Sequence, residues 1–118
     1  IDREFDTVEL ATGAGATFVA RTTVYHVKQL QSLIKKAISH EGFSVLEVLS
    51  QCPTYFGRKN RKGSAVDMLN SFKDGTVPVG SKKKQENPEL IERGIFVEEQ
   101  LPEYCDAYAE LVERATAK

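Results

Sequence analysis

Between His26 and His40 the apolar residues fall at Val27, Leu30, Leu33, Ile34, Ala37 and Ile38, with Lys28, Gln31, Lys35 and Lys36 on the other side. That rhythm predicts an amphipathic helix with one face turned to a core. The runs flanking it have a different character. Ala16 to Arg21 mixes β-branched and aromatic residues and predicts a strand. Phe43 to Leu49 is nearly continuously apolar, which predicts a strand covered on both faces, as in a parallel sheet. Strand, helix and strand make one βαβ unit with a right-handed crossover. Both strands should open at their C-terminal ends onto one rim, where α/β proteins usually place their sites.

The rest of the chain hangs on this unit. Asp6 to Ala11 predicts a short helix with Asp6 as N-cap and Gly13 and Gly15 as its stop. Those glycines follow a helix and precede a strand, the reverse of the order a dinucleotide-binding loop requires, so they read as a turn. Gly42 should cap the long helix, whose end His40 suits as a cation. His26 and His40 stand about 20 Å apart along it and cannot share a metal. A further helix is predicted from Ala65 to Lys73, ended by Asp74 and Gly75. Val77 to Pro88 reads as an extended arm with little structure of its own, and Gly94 to Glu98 as a short strand. A last helix, Pro102 to Ala115, carries Tyr104, Cys105, Tyr108, Leu111 and Val112 on one face, and Cys105 is expected in core packing. The expected fold class is therefore α/β, divided into an α/β part over residues 1–76 and an arm with a terminal helix over 77–118.

Composition narrows the function classes. A chain of 118 residues, 41% hydrophobic and 28% charged, suits one globular domain. No apolar run approaches the roughly 20 residues of a membrane-spanning helix, and Ile1 to Phe5 lack the pattern of a secretory signal. The opening without Met predicts a piece of a longer protein, with an uncovered sheet edge where the parent continues. Two cysteines in unlike contexts point to a reduced, cytoplasmic chain rather than a disulfide scaffold. A net charge of -1 argues against a dedicated nucleic-acid binder. The charge is unevenly spread, however. Arg58, Lys59, Arg61 and Lys62 crowd one stretch and Lys82, Lys83 and Lys84 another, while acids dominate from Glu86 onward. The basic stretches read as solvated surface or as docking sites for an acidic partner.

Cys52 is the candidate for chemistry. It follows a strand and precedes Pro53, at the rim of the sheet. Thiolates hold zinc and iron-sulfur clusters, yet either needs about four ligands, and no CxxC or neighbouring His accompanies it. On residue physics alone Cys52 reads first as a small buried residue. A thiol enzyme would need a base, and His40 should lie at the opposite end of the sheet. The carboxylates between Glu86 and Glu113 read as a solvated face.

Three runs change that balance. Gly15-Ala16-Thr17-Phe18-Val19-Ala20-Arg21, Ile38-Ser39-His40-Glu41-Gly42 and Leu49-Ser50-Gln51-Cys52-Pro53-Thr54-Tyr55, in this order, resemble the later half of the beta subunits of 2-oxoacid:ferredoxin oxidoreductases. Phe56-Gly57-Arg58-Lys59-Asn60 and Glu92-Arg93-Gly94-Ile95-Phe96-Val97-Glu98-Glu99 resemble the 2-oxoglutarate type. The resemblance implies part of a thiamine-pyrophosphate-binding α/β domain. It also implies that Cys52 is the late ligand of a [4Fe-4S] cluster whose other cysteines lie upstream. In the complete subunit it implies thiamine pyrophosphate, magnesium and the cluster as cofactors. The implied partners are the alpha subunit, ferredoxin, coenzyme A and the 2-oxoacid. The implied reaction is decarboxylation of the oxoacid, electron transfer through the cluster to ferredoxin, and release of the acyl group on coenzyme A. The CxxC and the GDG-type segment that binds magnesium and diphosphate are absent from this sequence, so it is expected to be inactive and cofactor-free by itself. The rival reading is a stand-alone α/β interaction module in which Cys52 is merely buried.

Overall fold

The βαβ unit forms the spine of the molecule. A computed structural model describes residues 5–117. Its elements run α1 (Thr7–Gly13), β1 (Phe18–Thr23), α2 (Val27–Ser39), β2 (Ser44–Leu49), a single π-turn (Pro53–Gly57), α3 (Ala65–Gly75), β3 (Thr76–Pro78), α4 (Lys82–Glu86), β4 (Ile91–Glu98) and α5 (Tyr104–Thr116). As the pattern predicts, β1 and β2 are parallel neighbours, in register from Phe18 opposite Ser44 to Thr23 opposite Leu49. Helix α2 bridges them.

Alternation along β1 builds a core on each side of the sheet. Phe18 and Ala20 meet Leu33 of α2, with Ala37, Leu46 and Ile95 around them. Val19 points the other way, onto Val8, Ala11 and Ala16, with Val45, Phe96 and Val97 completing that cluster. Helix α1 is placed by its cap: Asp6 Oδ1 accepts from the backbone N–H of Val8 at 2.8 Å and of Glu9 at 3.2 Å. It stops where expected, with Gly15 at φ +84°.

The sheet order is β2-β1-β4-β3, and it corrects the reading of β2. The strand covered on both faces is β1, whose Val19 and Ala20 are fully buried, whereas β2 is a half-buried edge strand. The reason is the distant strand β4, which pairs antiparallel with the other side of β1. A register shift sets Val19 opposite Val97 but Ala20 opposite Ile95, so Phe96 is an extra residue that bends β4 at this point. Among the described residues β2 and β3 each pair on one side only. The uncovered edge expected from the sequence is present.

The arm from Val77 to Pro88 is also corrected. Thr76 and Val77 are buried and pair in parallel with Ile91 and Glu92. Gly80 turns the chain at φ +75°, and α4 follows. Lys84 Nζ then donates to the carbonyls of Pro88 at 2.7 Å and Leu90 at 2.6 Å, which returns the chain to β4. Since β4 lies inside the sheet, residues beyond 77 help to build the α/β body.

Helix α5 departs most from expectation. None of its residues is buried, and Tyr104, Tyr108, Leu111 and Val112 all stand exposed. Cys105 is exposed as well, not in a core. An amphipathic stripe shows that a helix has a face to cover, but no described element lies against it. The radius of gyration is 18.8 Å with a long axis of 68 Å, against about 13.5 Å for a compact chain of this length. Among the described residues, no helix is long and apolar enough to cross a membrane.

Candidate cluster-ligand site at the sheet rim

The turn that carries Cys52 is built from its neighbours. Strand β2 ends at Leu49, whose carbonyl accepts from Val24 N–H at 3.0 Å. Cys52 then caps the π-turn, and Pro53 sits at its first position, where a missing N–H costs nothing. The turn closes when Gly57 N–H donates to Cys52 O at 2.9 Å. Gly57 is buried against α3, and a Cβ there would meet Met68 Sδ, so any larger residue requires the Met68 side chain to move. Helix α3 is in turn secured by a capping box between Ser64 and Asp67.

This places Cys52 on the rim, exposed rather than buried. The buried structural reading fails for that reason. Its thiol is held below the ordinary cysteine range by the backbone N–H groups of Phe56 and Tyr55 and by the Thr54 hydroxyl, which lies 4.0 Å from Sγ. These donors favour the thiolate, the form that binds a metal. Cys105 behaves oppositely, because Glu103 and Asp106 push its thiol up.

Among the described residues, no three His, Cys, Asp or Glu side chains gather as a metal site. His26 and His40 meet threonine hydroxyls instead: His26 Nδ1 lies 2.8 Å from Thr23 Oγ1, and His40 Nε2 lies 2.7 Å from Thr17 Oγ1. Burial and the nearby Arg93 charge hold His26 below its ordinary pKa. Among the described residues, the rim therefore offers a single thiol donor, Cys52.

The sequence reading stopped β1 at Arg21 and missed what lies beyond it. Thr22 and Thr23 are fully buried and carry a polar network to the same rim. Thr22 Oγ1 donates to Gln29 Oε1 at 3.1 Å, and Arg93 Nη1 donates to the same oxygen at 3.0 Å. Arg93 Nε also donates to Thr76 Oγ1 at 3.2 Å, which ties β4 to β3. The available signal was the β-branched pair Thr22-Thr23, which extends a strand rather than ending it.

A groove of about 1040 Å³ crosses the α1 side of the sheet, bounded by Asp6, Arg21, Glu47, Lys84, Glu92 and Phe96 among others. Arg21 Nη2 donates to Asp6 Oδ1 at 2.9 Å while Nε donates to Glu47 Oε2, and the guanidinium lies 5.6 Å from the centroid of the Phe96 ring. Lys84 is held by carbonyls. With its cations engaged and its border rich in carboxylates, the groove does not fit a diphosphate group.

The thiamine pyrophosphate enzyme C-terminal TPP-binding domain family matches residues 1–48. The 2-oxoglutarate synthase subunit KorB of Methanothermobacter thermautotrophicus is 40% identical over 121 residues, covering 100% of this chain and 42% of that protein. KorB of Methanocaldococcus jannaschii is 38% identical, covering 97% of this chain and 43% of its own length. A solved 2-oxoglutarate:ferredoxin oxidoreductase from Magnetococcus marinus, with 2-oxoglutarate, coenzyme A and succinyl-CoA bound, superposes with a TM-score of 0.76 at 21% identity. That match covers 98% of this chain and 40% of the other, and it shows a shared fold. The chain spans about two-fifths of the length of its curated relatives. Across its whole length, then, this chain is related to the beta subunits of 2-oxoacid:ferredoxin oxidoreductases of the 2-oxoglutarate type, and it covers a fragment of them.

Proposed function

We propose that the complete protein is the beta subunit of a cytoplasmic 2-oxoglutarate:ferredoxin oxidoreductase and that Cys52 is one thiolate ligand of its [4Fe-4S] cluster. The whole-chain likeness to KorB carries the reading of the enzyme. For the site, the exposed thiol held toward its thiolate form on a rigid turn is the supporting observation. The overall change converts a 2-oxoacid and coenzyme A into an acyl thioester, carbon dioxide, one proton and two electrons, and ferredoxin takes up the electrons. In that enzyme, bound thiamine pyrophosphate supplies the electron sink for decarboxylation and the cluster supplies a one-electron relay.

What this chain contributes is narrower. The chain supplies part of the thiamine-pyrophosphate-binding domain, with β3 and β4 built into its sheet and α5 as the extension. The π-turn presents the Cys52 sulfur at the rim and α3 holds the turn in place. The other thiolates, the magnesium and diphosphate ligands and the alpha subunit belong to the rest of the complex, so this chain alone neither assembles the cluster nor turns over the oxoacid.

The test is Cys52→Ser in the complete enzyme, with iron content, bound thiamine pyrophosphate and oxoacid-dependent ferredoxin reduction measured together. Iron and ferredoxin reduction should fall while thiamine pyrophosphate stays bound, since a cluster missing a thiolate is lost or shifted in potential. A variant that keeps its full iron and its reduction rate removes Cys52 from the relay.

A further inference from the structure

The turn after Cys52 carries a second feature that cluster ligation does not use. From Pro53 to Lys62 the chain has no acid, but it holds Arg58, Lys59, Arg61 and Lys62, all exposed. Among the described residues, the ion pairs formed are Arg21 with Asp6 and Glu47, and Lys36 with Glu98. Among the described residues, none of the four cations of the turn is in an ion pair. Two aromatic rings stand with them: Tyr55 is 71% exposed and Phe56 52%. Lys59 Nζ lies 5.5 Å from the centre of the Tyr55 ring.

This surface is ordered by its own backbone. Asn60 N–H donates to Phe56 O at 3.0 Å and Lys62 N–H to Gly57 O at 2.9 Å, while the Asn60 side chain donates to Phe56 O at 2.8 Å. Arg61 takes a left-handed φ of +52° to close the loop. These hydrogen bonds fix the backbone that carries the four cations and the two exposed rings. Aromatic and arginine side chains on a rigid surface are the usual anchors of a protein interface. The sign of the charge selects an acidic partner, and such fields act mainly on the rate and orientation of encounter. A single short turn suits a small, transient interface, as electron-transfer encounters are.

We infer that the basic aromatic turn Tyr55–Lys62 is the docking face for the acidic side of the electron acceptor, set within one turn of the sulfur that would hold the relay. The inference rests on the reading above that the acceptor is a ferredoxin. It assigns to the turn a role separate from ligating the cluster.

The experiment uses the complete enzyme carrying Arg58→Glu with Lys59→Glu, and a milder pair, Arg58→Gln with Lys59→Gln. Lys82→Glu with Lys83→Glu serves as a control, because those lysines follow the strand at the opposite edge of the sheet. Two quantities are read against ionic strength: the Kd for a purified ferredoxin of net negative charge, and the ratio of ferredoxin-dependent to dye-dependent oxoacid oxidation. The charge-reversed pair should raise Kd and lower the ratio by roughly tenfold at low salt, the neutral pair by less, and all forms should converge at high salt. Kd and ratio equal to wild type at every salt concentration overturn the inference. So does a charge-reversed pair that fails to assemble with the alpha subunit while the lysine control assembles, because the turn would then be a subunit interface. A wild-type enzyme that oxidises the oxoacid with dye but reduces no ferredoxin overturns the functional reading and this inference together.

Discussion

Arg21 Nη2 donates to Asp6 Oδ1 at 2.9 Å, and that same oxygen caps helix α1. One atom thus joins the end of a short helix to the central strand. Burial alone would raise the Asp6 pKa, but the backbone N–H groups of Glu9 and Val8 and the Arg21 charge together hold it below the ordinary value. For a carboxyl depressed in the folded state, the contribution to stability is present above the unfolded pKa and fades as the pH falls through the folded one. Asp6→Ala should cost about 1 kcal/mol at pH 7 through the lost cap. Asp6→Asn keeps a capping oxygen and should cost less. Urea unfolding at pH 7 and below about pH 4 checks this. Wild type should lose more stability on acidification than the Asn variant, and equal losses would dissociate the cap from the charge.

The same arginine also sets up a contrast between two ion pairs. Arg21 and Glu47 have side chains only 13% and 21% exposed, while Lys36 and Glu98 are 48% and 47% exposed. Truncating a mostly buried partner strands the other charge, so Arg21→Met should cost about 2 to 3 kcal/mol. Lys36→Met removes a solvated pair and should cost under about 1 kcal/mol. Thermal and denaturant unfolding of the two variants gives the comparison.

Gly57→Ala should disturb the turn that carries Cys52, because the new methyl meets Met68 Sδ. Overpacking of this kind costs about 1 to 3 kcal/mol. Combining it with Met68→Ala should destabilise by less than the sum of the two single changes, since removing the thioether makes the room the methyl needs. Strict additivity in the double-mutant cycle would mean that the two side chains do not compete for that space.

The two cysteines should differ in reactivity although both are exposed. Access does not separate them, so the thiolate fraction decides. Donors around Cys52 lower its pKa and the carboxylates beside Cys105 raise its own. Near pH 7 iodoacetamide should label Cys52 faster, and the gap should close as the pH rises above both values. Peptide mass spectrometry over a time course reads this directly, and faster labelling at Cys105 would contradict the geometry of the turn.

What the sequence determined by itself is what short-range physics can encode. The apolar rhythm from Val27 to Ile38 marks α2, Asp6 announces its role as a cap, and the short crossover makes β1 and β2 parallel and puts Cys52 at their open rim. The runs around Cys52 also carried the resemblance that the relatives share. Long-range packing settles which strand sits at the centre, that Cys52 is exposed and that, among the described residues, the cations beyond it are in no ion pair. The choice of β4 as the second neighbour of β1 joins residues as far as 80 positions apart, Phe18 and Glu98. No local pattern specifies that pairing, which leaves β2 at the edge and brings β3 out of an apparently featureless arm. Helix α5 marks the same boundary from the other side. Its stripe declares an apolar face, but a stripe records only that burial would be favourable. Whether Tyr108 or Cys105 meets a core depends on which surfaces the rest of the fold can bring to it.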